Sequence, residues 1–371
     1  MLRKGNMNVL HLYSSMGTGG AERMLLELAA GLEERGVHNI VGAPAKSYLA
    51  SKAAALNLSH CPLSIRGSFA PFGILSLAMA LRREKIDIIH AHQGKLYWAG
   101  IVANFLAGKR AKIIFHRHMQ TNHAWYSRLH YRFADKVIAV SHAVANGLQS
   151  VDGVVADKCA VVYNGVDTNL FNPYVSGEEV RRKYGFAGED IVVGMVGAMN
   201  KPKGKGQRAL LEAANALKKE FPRARYLLVG EGTLRRQLEE RGRVLGLERT
   251  VIFVGHQENI ERYMAAMDVC CLLSWDTEAF GQVMAEAQAL GKPVIGTTVG
   301  GIPETVVDKQ TGFLIAPDDA TQLETALRSL LSDDALRSRM GMAASGFARK
   351  SFGKEVTFDK TLAIYRELVN A

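Results

Sequence analysis

The strongest constraint in this chain is an alternation that runs its whole length and starts over midway. Short apolar runs, NVLHLY (8–13), IDIIHAH (86–92), AKIIFH (111–116) and KVIAVS (136–141), are separated by segments of helical spacing such as AERMLLELAAGLEERG (21–36). A second series follows: IVVGMVG (191–197), YLLVG (226–230), VIFVG (251–255), DVCCLLS (268–274) and PVIGT (293–297), with RALLEAANALKKEF (208–221) as one of its helices. Runs that are apolar at nearly every position belong to strands covered on both faces. Such strands alternating with helices build parallel sheets wrapped by helices. The restart near residue 190 divides 371 residues into two α/β domains of ordinary size. The turn-rich segment YNGVDTNLFNPYVSGEEVRRKYGFAGED (163–190), with Asn-Gly and Asn-Pro dipeptides, reads as the linker. Open parallel sheets bind ligands beyond the carboxyl ends of their strands, so the expected site is a cleft faced by both sheets. A last helix is expected near 354–369.

Charge is spread unevenly over these halves. Residues 1–172 hold 19 Lys+Arg against 10 Asp+Glu, whereas residues 173–371 hold 27 against 26. Ten of the eleven histidines also fall in the first half. An excess confined to one half points to an anionic partner there: nucleic acid, an acidic membrane surface or an acidic substrate. Hydrophobic content of 48% with 22% charge is that of a soluble globular protein. The N-terminal MLRKGNMNVLHLYSS does not resemble a signal peptide, and FGILSLAMAL (72–81) is half the length that crosses a bilayer. Cys61, Cys159, Cys270 and Cys271 have neither metal-ligand nor redox spacing and read as core residues in a reducing compartment. The expectation is a cytoplasmic protein.

Several short stretches could carry chemistry. SSMGTGGAER (14–23) follows the first strand, and its glycines permit a tight turn and close approach of a ligand to a helix N-terminus. It is a poor dinucleotide fingerprint, since Glu22 replaces the third glycine and NIVGAP ends without an acidic residue. GAMNKPKGKGQR (197–208) places three lysines, an arginine and three glycines between a strand and a helix. Backbone donors and ammonium groups together suit a diphosphate, although the Walker pattern is absent. Two His-x-His pairs, His90/His92 and His116/His118, each face one way from a strand end. No carboxylate or cysteine is spaced to complete a metal site, so the pairs read as polar lining of the cleft and no metal is expected. In RHMQTNHAWYSRLHYRFADK (117–136), Trp125, Leu129 and Phe133 share a helical face beside Arg128 and Arg132. That face could rest on a membrane interface or pack on the core. No RNA-binding signature accompanies the charge.

TEAFGQVMAEAQALGKP (277–293) contains two carboxylates that are the only charges before Lys292, and a buried carboxylate is costly unless paired. Glu278 falls on the loop entering a helix that begins near Gly281, and Glu286 lies about five residues into it. The amides of Phe280, Gly281, Gln282 and Val283 are then placed to favour a phosphate. The glutamates read as acceptors for sugar hydroxyls, not as a proton-sharing pair.

With these residues in view, the chain resembles the retaining nucleotide-sugar glycosyltransferases of family 4, over nearly its whole length and in order. The resemblance runs through GGAER (19–23), IDIIHAH (86–92), ADKVIAVSHAV (134–144), VVYNGVDTNLF (161–171), KGQRALLEA (205–213), YLLVGEG (226–232), SWDTEAFGQVMAEAQALGKPVIGTTVGGIPE (274–304) and TGFLIAPDD (311–319). It implies the GT-B fold: two Rossmann-like, doubly wound parallel-sheet domains with an interdomain cleft. The implied division is an acceptor-binding domain over 1–172, a donor domain over 173–349, and a C-terminal helix over 350–371 that packs back toward the first domain. Glu278 matches the glutamate near the donor sugar and Glu286 the one on the nucleotide ribose. The amides at 280–283 and the Gly19–Gly20 loop would hold the diphosphate, with Lys205 as its basic residue. His118 matches the histidine near the reacting sugar, with His116 only two residues away. One departure is Ala198, where members often carry arginine; Asn200, Lys201 or Lys203 would have to compensate.

The resemblance further implies transfer of a hexose-type sugar with retention, from a nucleoside diphosphate sugar, a UDP-sugar for preference. No cofactor or metal is implied, in keeping with the absence of Asp-x-Asp. The acceptor would be a glycan or lipid-linked molecule of cell-envelope polysaccharide or lipopolysaccharide synthesis. The basic first half would then make peripheral contact with an anionic membrane on its cytoplasmic face, with no nucleic acid involved. A UDP-sugar epimerase of the same fold and a non-catalytic sugar-nucleotide binder are the alternatives.

Overall fold

The computed structural model describes residues 7–17, 19–63, 65, 70–119, 125–200 and 202–370, of which 125–127 by backbone only. The chain forms two compact units: Met1–Gly165 together with Lys354–Ala371, and Val166–Gly353. The crossings therefore fall at 165/166 and 353/354, where the sequence reading set boundaries at 172/173 and 349/350. Two crossings can lie side by side because the Val166 amide donates to the Phe352 carbonyl at 2.7 Å.

The first unit carries a sheet of seven parallel strands: β1 (Met7–Leu12), β2 (Val37–Ala43), β3 (Ser59–Pro62), β4 (Ile88–Ala91), β5 (Lys112–Arg117), β6 (Lys136–Ala139) and β7 (Cys159–Val161). Their spatial order is β3-β2-β1-β4-β5-β6-β7. The second unit has six parallel strands: β8 (Ile191–Val196), β9 (Ala224–Val229), β10 (Val251–Gly255), β11 (Val269–Leu272), β12 (Val294–Thr297) and β13 (Gly312–Ile315). They run in the order β10-β9-β8-β11-β12-β13. In both sheets the order reverses once, between β1 and β4 and between β8 and β11. At such a reversal the connections leave toward opposite faces and open a crevice at the carboxyl ends.

The apolar strands are buried on both faces as their sequence demands; Val9, Ile88, Ile114 and Ile138 are all fully buried. The C-terminal helix Lys354–Asn370 belongs to this first core, where Phe358, Leu362 and Tyr365 pack with those strands. The second core gathers Val193, Met195, Leu228, Val269 and Cys271 beneath helix Gln207–Leu217 and helix Ala320–Ser332.

Three expectations are corrected. The segment 163–190 is not a linker. From residue 166 it belongs to the second unit, contains the helix Glu178–Lys183, and buries Phe171, Val180 and Phe186. Arg181 fastens it by pairing with Asp268 and donating to the Ala266 carbonyl at 3.0 Å. Next, Trp125–Phe133 winds as a 3₁₀ helix, so Leu129 and Phe133 do not share a face. His130 and Tyr131 are buried beside Tyr97 and Phe115, while Leu129 and Phe133 are exposed; the Trp125 side chain lies outside the described residues. Finally, Gly17, Gly19 and Gly20 are not in the left-handed region, so the turn before helix Gly20–Glu33 does not need their conformational freedom.

Candidate functional site

In the second unit the loop after β8 and the loop after β11 meet at the switch point. Leu273 donates its amide to the Lys205 carbonyl at 3.0 Å, which ties the basic loop to the end of β11. The Gln207 side chain accepts from the Lys205 amide at 2.8 Å and holds the loop from the other side. Thus constrained, the Lys205 ammonium reaches the Glu278 carboxylate at 2.6 Å. Both groups are partly exposed, and the Ser274 hydroxyl stands 3.4 Å from the same carboxylate oxygen. Glu278 is therefore a paired carboxylate, which answers why an apolar stretch tolerates it.

Gly281 has φ 92, a left-handed turn that lets helix Gln282–Ala289 start at once from the loop. The loop is laid against Gly300: a Cβ there would stand 1.9 Å from the Glu278 carbonyl oxygen, so only glycine admits it. The Phe280 ring is buried and packs edge-on against Phe352, 5.3 Å between centroids, so this residue can meet a ligand only through its backbone. Glu286, one turn into the helix, accepts from the side-chain amide nitrogen of Gln282 at 3.2 Å, and Val283 is half-buried between them. Burial, and next the charge of Glu286, push the Cys270 thiol up to about 12, so that cysteine is inert packing.

The residues considered as substitutes at Ala198 part company. Lys203 is drawn to Asp318 at 2.7 Å and lies 4.6 Å over the Trp275 ring. Asn200 accepts from the Thr233 amide at 3.3 Å and remains exposed; Lys201 lies outside the described residues. A cavity of about 550 Å³ beside Trp275, Arg208 and Arg241 lies behind the loop and is lined by neither Lys205 nor Glu278.

In the first unit the switch point is filled with histidine. Register sets His11 of β1 beside His90 of β4, with His92 and His116 one side-chain step further along β4 and β5. His118 follows β5 and retains solvent contact, while the other four are buried. The rings stack: His90 on His92 at 4.2 Å, His116 on His118 at 4.1 Å, and His90 parallel to His116 within 4°. Tyr365 of the C-terminal helix closes the base, its hydroxyl 2.5 Å from His90 Nδ1. Burial lowers every one of these pKa values, His11 and His118 to about 4, the latter also through Arg117. All five rings are neutral at pH 7.

Spacing along the chain offered each His-x-His pair no third ligand; the fold supplies one from a neighbouring strand. His11/His90/His92 and His92/His116/His118 each bring three ring nitrogens within 4.8 Å of one another. In each trio two of the nitrogens face one another at hydrogen-bond distance, His11 Nδ1 and His92 Nε2 at 3.1 Å, and His92 Nδ1 and His118 Nε2 at 3.4 Å. Gly19 and Gly20 are exposed at the head of helix Gly20–Glu33, where the Glu22 carboxylate is buried against Gly19. A carboxylate there opposes a second anion, so the amides of that turn need a cation's help to hold a diphosphate.

Two family descriptions match the chain in succession: Glycosyltransferase Family 4 over residues 18–170 and Glycosyl transferases group 1 over residues 176–346. A glycosyltransferase from Rickettsia africae superposes with a TM-score of 0.88 at 26% identity, covering 98% of this chain and 99% of that one. This chain belongs to the family 4-like glycosyltransferases of GT-B fold. Anabaena HepE in complex with UDP is similar at a TM-score of 0.84 and 25% identity, over 98% of this chain and 99% of HepE. The N-acetyl-alpha-D-glucosaminyl L-malate synthase of Bacillus anthracis is 28% identical over 302 residues, 79% of this chain and 78% of that enzyme.

In this glycosyltransferase the structure brings Lys205 and Glu278 together and sets Glu286 in the helix that follows, but the groups that hold the two loops were not read from the sequence. Gln207 and Gly300 lay inside quoted stretches without a role, and only the three-dimensional approach of two loops gives them one. His11 and Asn39 were missed as well. A histidine inside the apolar run NVLHLY was the available signal, because a buried polar side chain must find a partner.

Proposed function

We propose that this glycosyltransferase moves a hexose-type sugar, with retention of anomeric configuration and without a metal, from a UDP-sugar to a glycan or lipid-linked acceptor. The observation that carries the reading is the Lys205–Glu278 pair at the head of helix Gln282–Ala289. Lys205 and the positive end of that helix stabilise the diphosphate as the bond from the anomeric carbon to its oxygen breaks. The acceptor hydroxyl forms the new bond on the same face, and its proton passes to the departing phosphate oxygen. Glu278 orients Lys205 and accepts from donor-sugar hydroxyls, Glu286 accepts from the ribose, and Asn200 lines the phosphate side. Gly19 and Gly20 offer backbone amides without side-chain bulk, and His118 contacts a hydroxyl of the reacting sugars. Complexes of the similar HepE with UDP and with UDP-glucose support the choice of donor.

The acceptor reading draws on charge. By the structural division, the first unit holds 22 Lys+Arg against 12 Asp+Glu and the second 24 against 24. In the first unit Phe72, Leu75 and Met79 form an exposed apolar face of helix Pro71–Arg83, which packs beside helix Tyr97–Leu106 with its exposed Phe105 and Leu106. No helix among the described residues is long and apolar enough to cross a membrane. A basic unit with such a face suits peripheral contact with an anionic membrane and a lipid-linked acceptor.

The test is a screen of UDP-, GDP- and ADP-sugars for thermal stabilisation and slow donor hydrolysis, followed by NMR of the product anomer. UDP must raise the melting temperature and the product must keep the donor's configuration. An inverted product, or donor isomerised without acceptor, would overturn the reading. Co-sedimentation with anionic but not neutral vesicles at moderate salt tests the membrane contact.

A further inference from the structure

The histidines of the first unit do more than fill space, because three of them form a hydrogen-bonded line with a fixed direction. His118 Nε2 lies 3.4 Å from His92 Nδ1, His92 Nε2 lies 3.1 Å from His11 Nδ1, and His11 Nε2 lies 3.0 Å from the Asn39 amide oxygen. The end of the line is unambiguous. The Asn39 amide nitrogen donates to the Val37 carbonyl at 2.8 Å and toward the Glu33 carboxylate at 3.4 Å. Turning the amide over would set its oxygen against both of those acceptors, so the oxygen must face His11.

The rest follows by counting protons. A neutral imidazole has one N–H and one lone pair. His11 must donate from Nε2 to Asn39, which leaves its Nδ1 as an acceptor. His92 must then donate from Nε2, leaving its own Nδ1 to accept from His118 Nε2. Three rings use three N–H groups in three bonds. We propose that Asn39, acting through His11 and His92, fixes the tautomer of His118 so that its Nδ1 stands unprotonated as a hydrogen-bond acceptor for a sugar hydroxyl. Asn39, His11 and His92 are positioning residues, and the kinetic part of the argument rests on the proposed role of His118.

The line orients and does not conduct. A proton taken up at His118 Nδ1 could be handed inward only as far as His11, because an amide oxygen is too weak a base to receive it. Burial also disfavours an imidazolium anywhere along the line, in agreement with the lowered pKa values. A hydroxyl can therefore be held by His118 without being deprotonated. That suits a reaction whose proton leaves with the phosphate.

The test uses the full chain with ¹⁵N-labelled imidazoles. At pH 7, His11, His92 and His118 should all carry their proton on Nε2. Asn39→Leu, which removes the terminal acceptor, should give a mixture of His118 tautomers, and His92→Phe should do the same. His92→Gln supplies one donor and one acceptor and should restore the Nε2–H form. An Nδ1–H signal from any of the three wild-type rings, or an unchanged His118 in Asn39→Leu, overturns the proposal. So does Zn²⁺ binding that displaces the Nε2 protons. In turnover, His118→Ala should cost about 10²-fold in kcat and Asn39→Leu about tenfold at unchanged donor KM. The double variant should be no worse than His118→Ala, and a multiplied loss overturns the coupling. If His118→Ala keeps wild-type turnover, the role of His118 in transfer falls, while the NMR result still decides the tautomer line.

Discussion

The two units share one architecture, a parallel sheet with a single reversal of strand order, yet they treat polar groups at that reversal in opposite ways. The first gathers five neutral histidines, four of them buried: His118, His92 and His11 are linked in a line to Asn39, and His90 meets Tyr365, while both ring nitrogens of His116 lack a hydrogen-bond partner. The second brings a full positive and a full negative charge together at 2.6 Å and leaves both partly in water. Hydration and burial explain the contrast. A dry site can keep rings only if they are uncharged, whereas an ion pair is held cheaply where solvent still reaches it. A neutral ring acceptor is suited to hydroxyls and an ammonium to phosphate.

Acidification should separate the two units most sharply. The buried histidines of the first unit have folded pKa values below the unfolded value of about 6.5, near 4 for His11 and His118. Below pH 6.5 the unfolded chain therefore binds more protons. Their contribution is complete above that pH and is lost as pH falls toward 4. Each fully buried ring weakens stability by about 1.4 kcal/mol per pH unit in that window. The second unit contains a single histidine, the exposed His256. Hydrogen exchange at pH 5 should show the first unit opening well before the second. Equal loss in both would break the comparison.

Removing the charge from the second site is the next largest effect. Glu278→Gln keeps the shape but leaves Lys205 unpaired, and turnover should fall about 10²-fold with the acid sensitivity of the first unit unchanged. Lys205→Ala should lose at least as much, together with UDP affinity in calorimetry. Glu286→Ala should act more mildly, raising donor KM about tenfold with kcat nearly kept, as expected for one hydrogen bond to a charged acceptor. Smallest of all is Lys203→Ala. Its pair with Asp318 is exposed on both sides, 51% and 61%, so the melting temperature should correspond to less than about 0.5 kcal/mol. A large loss of turnover there would show that Lys203 leaves Asp318 to serve at Ala198.

Much of this was legible in one dimension because it is written in periods and motifs. DVCCLLS and IIHAH announce buried parallel strands by their unbroken apolar character, and the restart near 190 announces the second sheet. β3 and β7 escaped notice because SHCP and CAV are short edge strands with too few residues for any period to show. The 163–190 segment misled for a different reason. Its turn dipeptides are real, but Arg181 reaches across 87 positions to Asp268 and draws the segment into a domain.

What the sequence determined by itself is the fold class, the two-domain plan and the local environment of Glu278, Glu286 and Lys205, all set by residue order within a few turns of chain. What only the tertiary structure decided is which groups meet. Lys205 finds Glu278 because the ends of β8 and β11 adjoin at a reversal of strand order. His118 is joined to Asn39 through His92, just past β4, and His11 of β1, because parallel register brings together residues 26, 81 and 28 positions apart. Hydrogen bonds and ion pairs act over about 3 Å, and distances of that size between remote residues exist only once the chain has folded.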